Sequence, residues 1–572
     1  MRALPTSLPF LAFFLATVCA SFAAAAPARK SAASSPAEQP LLPTPFRDVI
    51  DRGVANGGFR GVAIGIIDGK RHGTFYFGHR DGPASPPPDG DSRFEIGAVT
   101  EVFVGLLLAQ AAIDGTVRLQ DRISARLAPG FPFADPALAQ ATLEELQTQK
   151  AGLPARPANL FPATVDDPYS DYATEDLLAF LALRSKADVT SASPPAYSIL
   201  SVGLLGNLLS RAYAAPLPEV LTARMLAPLG MAHTGFDDAQ LLPGHVRGDV
   251  APHWHYGVLG AAAGLRSTLP DLMEFMQRNL TPGDSPLRAA LLLARQARAP
   301  NDADHFGLGW KVREVASTDA TWPLIWRASE TAGFATFVGF RTDKQRAIVL
   351  LGNATEDLAD LGMAWLSEMP PPASPHGYTA PIRPDLASYT GLYKLNSGAE
   401  LVVRKGDGGL SVQVPGGWPQ ALRAVDKDVF ASDGAALALT FIRNVDAITG
   451  LVLRVGDENV SAQRLSERAP QLSRARMPIS RGSLAQFAGD YRIGADNWLR
   501  ILVNADDLIV QPTLGERVAL FSFAKDRFAD ARGEIELAAH RDAKGDIDRL
   551  TIDLAGVQHD VLPLRPKTSA TP

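Results

Sequence analysis

The chain has 572 residues, which is too long for one ordinary domain and predicts about three or four of them. Hydrophobic residues make up 46% and charged residues 20%, a balance that excludes a mainly disordered protein. The net charge is −6, so no basic surface is available for a phosphate backbone and nucleic acid is not expected as a partner.

The first 26 residues have the pattern of a secretory signal peptide. Arg2 supplies a positive start, an apolar run covers residues 8–18, and small residues continue to Ala26. This run is shorter than the roughly 20 residues that a membrane-spanning helix needs. The single cysteine, Cys19, lies inside the signal peptide and is expected to be removed with it on cleavage. The alternative is a lipoprotein signal, in which Cys19 carries a lipid anchor. We expect an exported protein, periplasmic or extracellular, without disulfides or a transmembrane segment after cleavage.

The next part of the chain predicts an α+β domain. Residues 27–43 are rich in Ala, Pro and Ser and predict a flexible spacer before a domain over 44–368. Within that domain, patterns typical of a hairpin, of a helix buried on all sides and of two late strands occur at 61–78, 98–113 and 333–351. Strands combined with helices before and between them are typical of an antiparallel sheet flanked by helices.

The C-terminal part contains a tandem repeat. The segment 386–393 (LASYTGLY) matches 484–491 (LAQFAGDY) at an offset of 98 residues, and the same offset relates Phe430 to Phe528. Short runs that alternate apolar and polar residues predict about eight antiparallel strands per copy, enough to close a lipocalin-like barrel. We place the barrels at 378–470 and 471–566, after a proline-rich linker at 369–377.

Six short motifs follow one another in an order that resembles the serine β-lactamase and penicillin-binding-protein-like hydrolases of the class C kind. They are Phe94-Glu95-Ile96-Gly97, Ala151-Gly152-Leu153-Pro154, Tyr197-Ser198, Pro228-Leu229-Gly230-Met231, Gly307-Leu308-Gly309-Trp310 and Thr331-Ala332-Gly333-Phe334. The resemblance covers about 44–368. Two barrels after such a domain resemble the layout of the D-aminopeptidases of that superfamily.

The resemblance implies three catalytic clusters, and each is altered in this chain. Where the family has Ser-x-x-Lys, the nucleophile and its base, the chain has Ala98 and Glu101. Where the family has Tyr-x-Asn, whose tyrosine shuttles a proton, the chain keeps Tyr197 but has Ile199. Where the family has His-x-Gly, the chain has Arg327 and Ser329. The Ser329 side chain, at the position of the glycine, would crowd the pocket. No intact catalytic set remains, although the Ala98 backbone N–H is expected to persist as an anion-binding group.

We therefore predict an exported protein of hydrolase fold that binds a ligand or partner in the cell envelope without catalysis. A peptide, a cell-wall fragment or an envelope protein is the expected partner, and no cofactor or metal is expected. One alternative is an active peptide or amide hydrolase (D-aminopeptidase-, esterase- or carboxypeptidase-like) with a non-standard nucleophile. Another is a structural protein that acts through its barrel pair.

Several other residues bear on these alternatives. Thr100, Ser201 and Ser329 carry the hydroxyls closest to the lost nucleophile. Thr100 lies two residues from Ala98 and therefore on another face of the helix, and Ser329 has no lysine or histidine partner in its own motif. His253 and His255 could present two imidazoles to a metal, although a third ligand is not evident. A Ser-x-x-Lys sequence does occur at 522–525, but its serine, Ser522, lies in the second repeat, away from any buried helix start. We also expect Glu101 and Arg327 to form an ion pair across the former catalytic pocket.

Overall fold

The structure is a computed structural model that describes residues 40–564 except for short gaps. The gaps are 165, 184–196, 247, 302–303, 317–320, 356–357, 373–383, 407–408, 415, 433–436, 446, 456–457, 468–473, 494–496 and 514–516. The predicted signal peptide and nearly all of the predicted spacer lie outside the described residues, as does most of the predicted linker. The described residues from Leu41 onward form one compact unit.

The first domain is built on an antiparallel sheet of eight strands in the order β2-β1-β12-β11-β10-β9-β8-β7. Two smaller ladders, β3 with β6 and β4 with β5, lie outside it. The strands are β1 (Gly61–Asp68), β2 (Arg71–Gly78), β3 (Arg93–Glu95), β4 (Gly244–Val246), β5 (Asp249–Ala251), β6 (Arg266–Thr268), β7 (Ala299–Asn301), β8 (Asp304–Phe306), β9 (Lys311–Ala316), β10 (Thr321–Glu330), β11 (Ala335–Arg341) and β12 (Arg346–Gly352).

Helices cover both faces of this sheet. They are α1 (Thr44–Ala55), α2 (Thr100–Ile113), α3 (Ile123–Arg126), α4 (Pro136–Gln140), α5 (Leu143–Gln147), α6 (Thr174–Leu183), α7 (Ile199–Tyr213), α8 (Leu217–Leu221), α9 (Ala227–Leu229), α10 (Gly260–Ala263), α11 (Leu269–Leu280), α12 (Arg288–Ala294) and α13 (Ala359–Leu366). On one face α1 and α13 pack into a smaller apolar core, and on the other face the larger core surrounds α2. The α+β prediction for this domain is confirmed.

Helix α2 is buried on nearly all sides, as its sequence predicts, and its position fixes the candidate site. A single tight turn, Gly97–Val99, precedes α2. A Cβ atom added to Gly105 would lie 2.1 Å from the Leu308 carbonyl oxygen, and one on Gly309 would lie 2.3 Å from the Glu101 carbonyl oxygen. Only glycine permits this close approach of the helix to the 307–310 segment. The start of α2 is thereby held beside strand β10.

The repeat forms two closed antiparallel barrels of eight strands each, which confirms the predicted pair. The first barrel consists of β13 (Gly391–Leu395), β14 (Glu400–Gly406), β15 (Gly409–Gln413), β16 (Gln420–Asp426), β17 (Val429–Ala431), β18 (Leu437–Asn444), β19 (Ala447–Val455) and β20 (Glu458–Ser466). The second consists of β21 (Gly489–Ile493), β22 (Asn497–Asn504), β23 (Asp507–Pro512), β24 (Val518–Ala524), β25 (Arg527–Ala529), β26 (Ile535–Arg541), β27 (Ile547–Leu554) and β28 (Val557–Pro563), preceded by helix α14 (Arg481–Ala485).

Individual bonds recur between the barrels at the offset of the repeat. The Arg443 guanidinium donates to Asp428 at 2.6 Å, and Arg541 donates to Asp526 at 2.7 Å. The Tyr393 hydroxyl donates to a backbone carbonyl four residues earlier at 2.7 Å, and Tyr491 does the same at 2.7 Å. Each barrel interior is filled by its own apolar side chains. The two barrels are therefore copies of one unit in bonding as well as in sequence.

The second barrel is anchored in the first domain. The Trp498 side chain is 2% exposed and belongs to the larger apolar core of the first domain, with its ring centroid 6.1 Å from that of Phe180. The Gln511 amide donates to the Pro162 carbonyl at 2.8 Å, and the Arg500 guanidinium lies 4.4 Å from the Phe161 ring centroid. The first barrel in turn meets the second through the Arg404–Glu534 ion pair and through hydrogen bonds from the Gln413 amide to the Glu534 carbonyl and from the Gly416 N–H to the Leu554 carbonyl. Among the described residues, none of the helices is long and apolar enough to cross a membrane.

Candidate functional site

The structure brings the altered catalytic positions together at the start of α2. Ala98 lies in the turn before α2, and Glu101 lies in its first turn. Arg327 and Ser329 lie on β10, which passes beside that turn, and Tyr197 precedes α7. Ile199 is the first residue of α7 and is buried in the apolar core, where its side chain cannot replace the amide that the family has there. The predicted positions therefore form one site, apart from Ile199.

A buried ion pair occupies the centre of the site. Arg327 Nη2 donates to Glu101 Oε2 at 2.5 Å, and the two side chains are only 4% and 1% exposed. Arg327 Nε also donates to the Ala98 carbonyl oxygen at 3.3 Å. The predicted pair is confirmed. It joins α2 to β10 through the two side chains at the positions where the family has its base and its strand histidine.

The surroundings of Glu101 shift the pKa of its carboxyl group in opposite directions. Burial raises the pKa of Glu101, and the Arg327 guanidinium opposes this effect without cancelling it. The Tyr197 hydroxyl, the Gln149 amide and the more distant Lys311 ammonium also favour the charged form. Arginine stays protonated in proteins, so a neutral Glu101 would leave a buried cation without its counter-charge. The carboxylate serves as the partner of Arg327 and is unsuited to the role of an amine base.

The Ala98 backbone N–H, at the position where the family directs an N–H at its substrate, already donates a hydrogen bond within this chain. Ala98 N donates to Ser329 Oγ at 2.7 Å. Ser329 presses against the turn, since a Cβ atom on Gly97 would lie 2.1 Å from its Oγ. The expectation that the Ala98 N–H stays free to bind an anion is therefore wrong, because the serine that replaces a glycine supplies an internal acceptor. A substrate oxygen would have to displace Ser329 before it could reach this N–H.

Tyr197 remains in the site but is poorly suited to accept a proton. The residue is 42% exposed overall, and its ring centroid lies 5.7 Å from the Arg327 guanidinium carbon. Burial and the negative charge of Glu101 raise the pKa of Tyr197 well above its ordinary value. A phenol held in the protonated form donates a hydrogen bond and does not act as a general base near neutral pH.

The other candidate hydroxyls have structural partners. Thr100 Oγ1 accepts a hydrogen bond from the Leu265 N–H at 3.1 Å and is fully buried. Ser201 Oγ donates to the Leu146 carbonyl at 2.8 Å and is 1% exposed. Ser522 lies on β24 in the second barrel and is also buried. The contacts give Thr100 and Ser201 structural roles, and Ser522 is buried in another domain, so these three hydroxyls do not favour a relocated nucleophile.

Two further residues, which no motif in the sequence indicates, contribute to the site. Gln149 adopts a positive φ of 62°, accepts a hydrogen bond from the Ser198 N–H at 3.1 Å, and presents its amide to Glu101. Lys311 on β9 lies 4.7 Å from the Trp326 ring centroid, and burial together with the nearby Arg327 lowers its pKa. Gln149 stands just before the Ala151–Pro154 motif, a position that could have drawn attention to it.

The two histidines weighed as metal ligands are bonded to carboxylates. His253 Nδ1 lies 3.2 Å from Glu95 Oε1. Both ring nitrogens of His255 are engaged, Nδ1 with Asp167 at 2.7 Å and Nε2 with Asp238 at 2.8 Å. Because a metal needs a free lone pair on the imidazole, His255 is not placed to act as a ligand.

The first domain is similar in sequence to known proteins. The sequence profile of the beta-lactamase family matches residues 46–368. The D-alanyl-D-alanine-carboxypeptidase/endopeptidase AmpH of Escherichia coli K12 is 25% identical over 353 residues, which cover 58% of this chain and 88% of that protein. A beta-lactamase of the same strain is 26% identical over 337 residues, which cover 51% and 84%.

Solved structures include a class C beta lactamase from Rhodobacter sphaeroides with a TM-score of 0.47 and 19% identity, covering 55% of this chain and 95% of that one. The family profile matches more than half of the chain, over the region that contains the start of α2 and strand β10. The chain belongs to the beta-lactamase family.

Proposed function

We propose that this chain is a non-catalytic member of its family, which binds a ligand or partner in the cell envelope. The observation that supports this most directly is the Glu101–Arg327 ion pair, with Ser329 bonded to the Ala98 N–H. Family members acylate a serine with the help of a lysine and a free backbone N–H. Loss of a nucleophile alone commonly costs several orders of magnitude in rate, and here the base and the anion site are replaced as well.

Export and the class of ligand are parts of the same proposal. The proposed export depends on the signal-like residues 1–26. A peptide, a cell-wall fragment or an envelope protein is the proposed partner. Because one relative is a D-alanyl-D-alanine-carboxypeptidase/endopeptidase, a peptide that ends in D-alanyl-D-alanine is the first ligand to test.

A second candidate function places partner binding on the barrels. The first barrel exposes the apolar side chains of Ile442 on β18 at 46%, of Val445 in the turn after β18 at 86% and of Leu465 on β20 at 50%. Exposed apolar side chains that adjoin one another form protein-binding surfaces. Replacing Ile442 and Leu465 with serine would abolish partner capture under this second function and leave it unchanged under the first.

The first function is tested with a D-alanyl-D-alanine-terminated pentapeptide and the full chain. We expect a measurable heat of binding in calorimetry and no release of D-alanine above the buffer rate. Release of D-alanine in proportion to protein concentration would show that the site is catalytic. Absence of both heat and release would exclude this peptide class and favour the barrel surface.

Restoring the family residues provides a graded prediction. The double variant Ala98→Ser/Glu101→Lys should stay inactive, because the new lysine faces Arg327 and Ser329 still occupies the backbone N–H. The quadruple variant, with Arg327→His and Ser329→Gly added, should gain labelling by a fluorescent penicillin, roughly tenfold or more above the unmodified chain. Gel fluorescence measures the label. Equal labelling of the double and quadruple variants would show that Arg327 and Ser329 do not block the site.

A further inference from the structure

A cavity in the first domain lies between the end of helix α12 and strands β8, β9 and β10. Its volume is about 580 Å³, within the range of roughly 300–1,000 Å³ that small-molecule sites occupy. The residues that line it include none of those that form the site at the start of α2. The cavity is therefore large enough for a ligand of its own.

The floor of this cavity is apolar and is part of the domain core. Val312 on β9 and Ile325 on β10 face each other across the two paired strands and are 4% and 3% exposed. Both belong to the larger apolar core. Leu292 of α12 and Pro323 of β10 add further apolar surface to the lining. Such a floor, carried by a helix and paired strands, is suited to the hydrocarbon part of a ligand.

The cavity also contains a guanidinium that lacks a counter-charge. Arg295 directly follows α12, is half-buried and lines the cavity. Its Nη1 donates to the Asn279 carbonyl at 2.8 Å, which leaves most of its five N–H donors available. Burial lowers the pKa of Arg295, and among the described residues no carboxylate offsets that effect. A partly desolvated cation of this kind is completed by an anionic group, which a ligand can supply.

A carboxylate lines the same cavity at its mouth. Glu314 on β9 is exposed to solvent, whereas Arg295 is half-buried. The Glu314 carboxylate has no part in the pKa shift of Arg295, so the two opposite charges line one cavity without neutralising each other. The cavity therefore offers a cation at depth, an anion at the mouth and an apolar floor.

We propose that this cavity binds a short, zwitterionic apolar peptide, with the peptide carboxylate on Arg295 and the peptide ammonium at Glu314. A guanidinium pairs well with a carboxylate, because its planar N–H donors match the two oxygens. The apolar side chains of the peptide then rest on Val312 and Ile325, which removes their surface from water. A fatty acid would satisfy only Arg295 and a simple amine only Glu314, so the two charges select a ligand that carries both. This binding site does not depend on the function proposed for the site at the start of α2.

Calorimetry on the full chain with three forms of one dipeptide tests the proposal. L-Leucyl-L-leucine carries both charges, its N-acetyl form carries only the carboxylate, and its C-terminal amide carries only the ammonium. The free dipeptide should bind, and each blocked form should bind about tenfold more weakly or worse, because it leaves one charge of the cavity unpaired. Absence of binding by the free dipeptide, or equal affinity for the free dipeptide and a blocked form, would overturn the proposal.

Two variants place the binding in the cavity. Arg295→Gln should weaken the free dipeptide about tenfold. Glu314→Gln should weaken the free dipeptide but leave the affinity of the N-acetyl form unchanged, a difference that a loss of folding would not produce. Arg288→Gln, at an exposed position on α12, is the matched control and should leave every affinity unchanged. Wild-type affinity in Arg295→Gln would contradict the proposed site.

If Arg295→Gln does not fold, because the Asn279 carbonyl loses its donor, NMR on the wild-type chain decides the question. His305 on β8 lines the cavity, so its ring signals should shift when the free dipeptide is added. A shift that saturates at the affinity measured by calorimetry supports the cavity site. Binding in calorimetry without a shift of the His305 ring would place the dipeptide elsewhere and overturn the proposal.

Discussion

Replacing Arg327 with methionine is expected to lower the free energy of unfolding of the first domain by about 3–5 kcal/mol. The change leaves the Glu101 carboxylate buried without its cation, and Glu101 is only 1% exposed. An unpaired buried charge is among the most destabilising changes in a protein interior. Urea denaturation, followed by tryptophan fluorescence, measures the loss.

A double variant and a surface pair serve as controls for this prediction. Glu101→Met combined with Arg327→Met removes both charges, so it should cost much less than Arg327→Met alone. Arg278→Ala breaks the exposed pair with Glu274 and should cost less than about 1 kcal/mol. If Arg327→Met lowered the free energy of unfolding no more than Arg278→Ala does, the result would contradict the buried ion pair.

Truncating Trp498 to alanine should have a comparable effect, about 3–5 kcal/mol, although the residue belongs to the second barrel. Its indole is 2% exposed within the core of the first domain. The variant should also separate the unfolding of the barrel from that of the first domain, which calorimetry detects as an added transition. For the same reason, deleting residues 378–572 should destabilise the first domain as well as remove the barrels.

Trp322→Ala is the matched control for Trp498, because Trp322 is 40% exposed on β10. It removes the same side chain without opening a buried cavity, so it should change stability by well under half as much. Equal losses of stability in the two tryptophan variants, with a single unfolding transition in calorimetry, would show that the attachment of the second barrel does not depend on Trp498.

Much of the fold follows from periodic patterns in the sequence. The offset of 98 residues between copies predicts two barrels, and the Asp428–Arg443 and Asp526–Arg541 pairs repeat at that offset. The apolar run over 98–113 predicts the buried helix, since no polar face interrupts it. Such patterns are local, so a sequence shows them without knowledge of tertiary contacts.

The site is predictable only in part. Gly97 and the residues that follow Glu101 align the chain with its family, which places Ala98, Glu101 and Arg327 at one pocket and makes the ion pair foreseeable. The bond between Ser329 and the Ala98 N–H joins residues 231 positions apart and depends on how closely β10 passes the turn. In the sequence Trp498 has the pattern of an ordinary barrel residue. Only the packing shows that its side chain lies in the apolar core of the first domain. These are tertiary contacts, which short motifs do not encode.

The proposed lack of catalysis is tested by the intact mass of the full wild-type chain after exposure to a labelled penicillin and, separately, to a fluorophosphonate. Because the Ser329 and Thr100 hydroxyls are bonded to backbone N–H groups and the Glu101 carboxylate is paired with Arg327, we expect an unchanged mass with both reagents. A stoichiometric covalent adduct on any residue would contradict it, and peptide mapping of that adduct would identify the nucleophile.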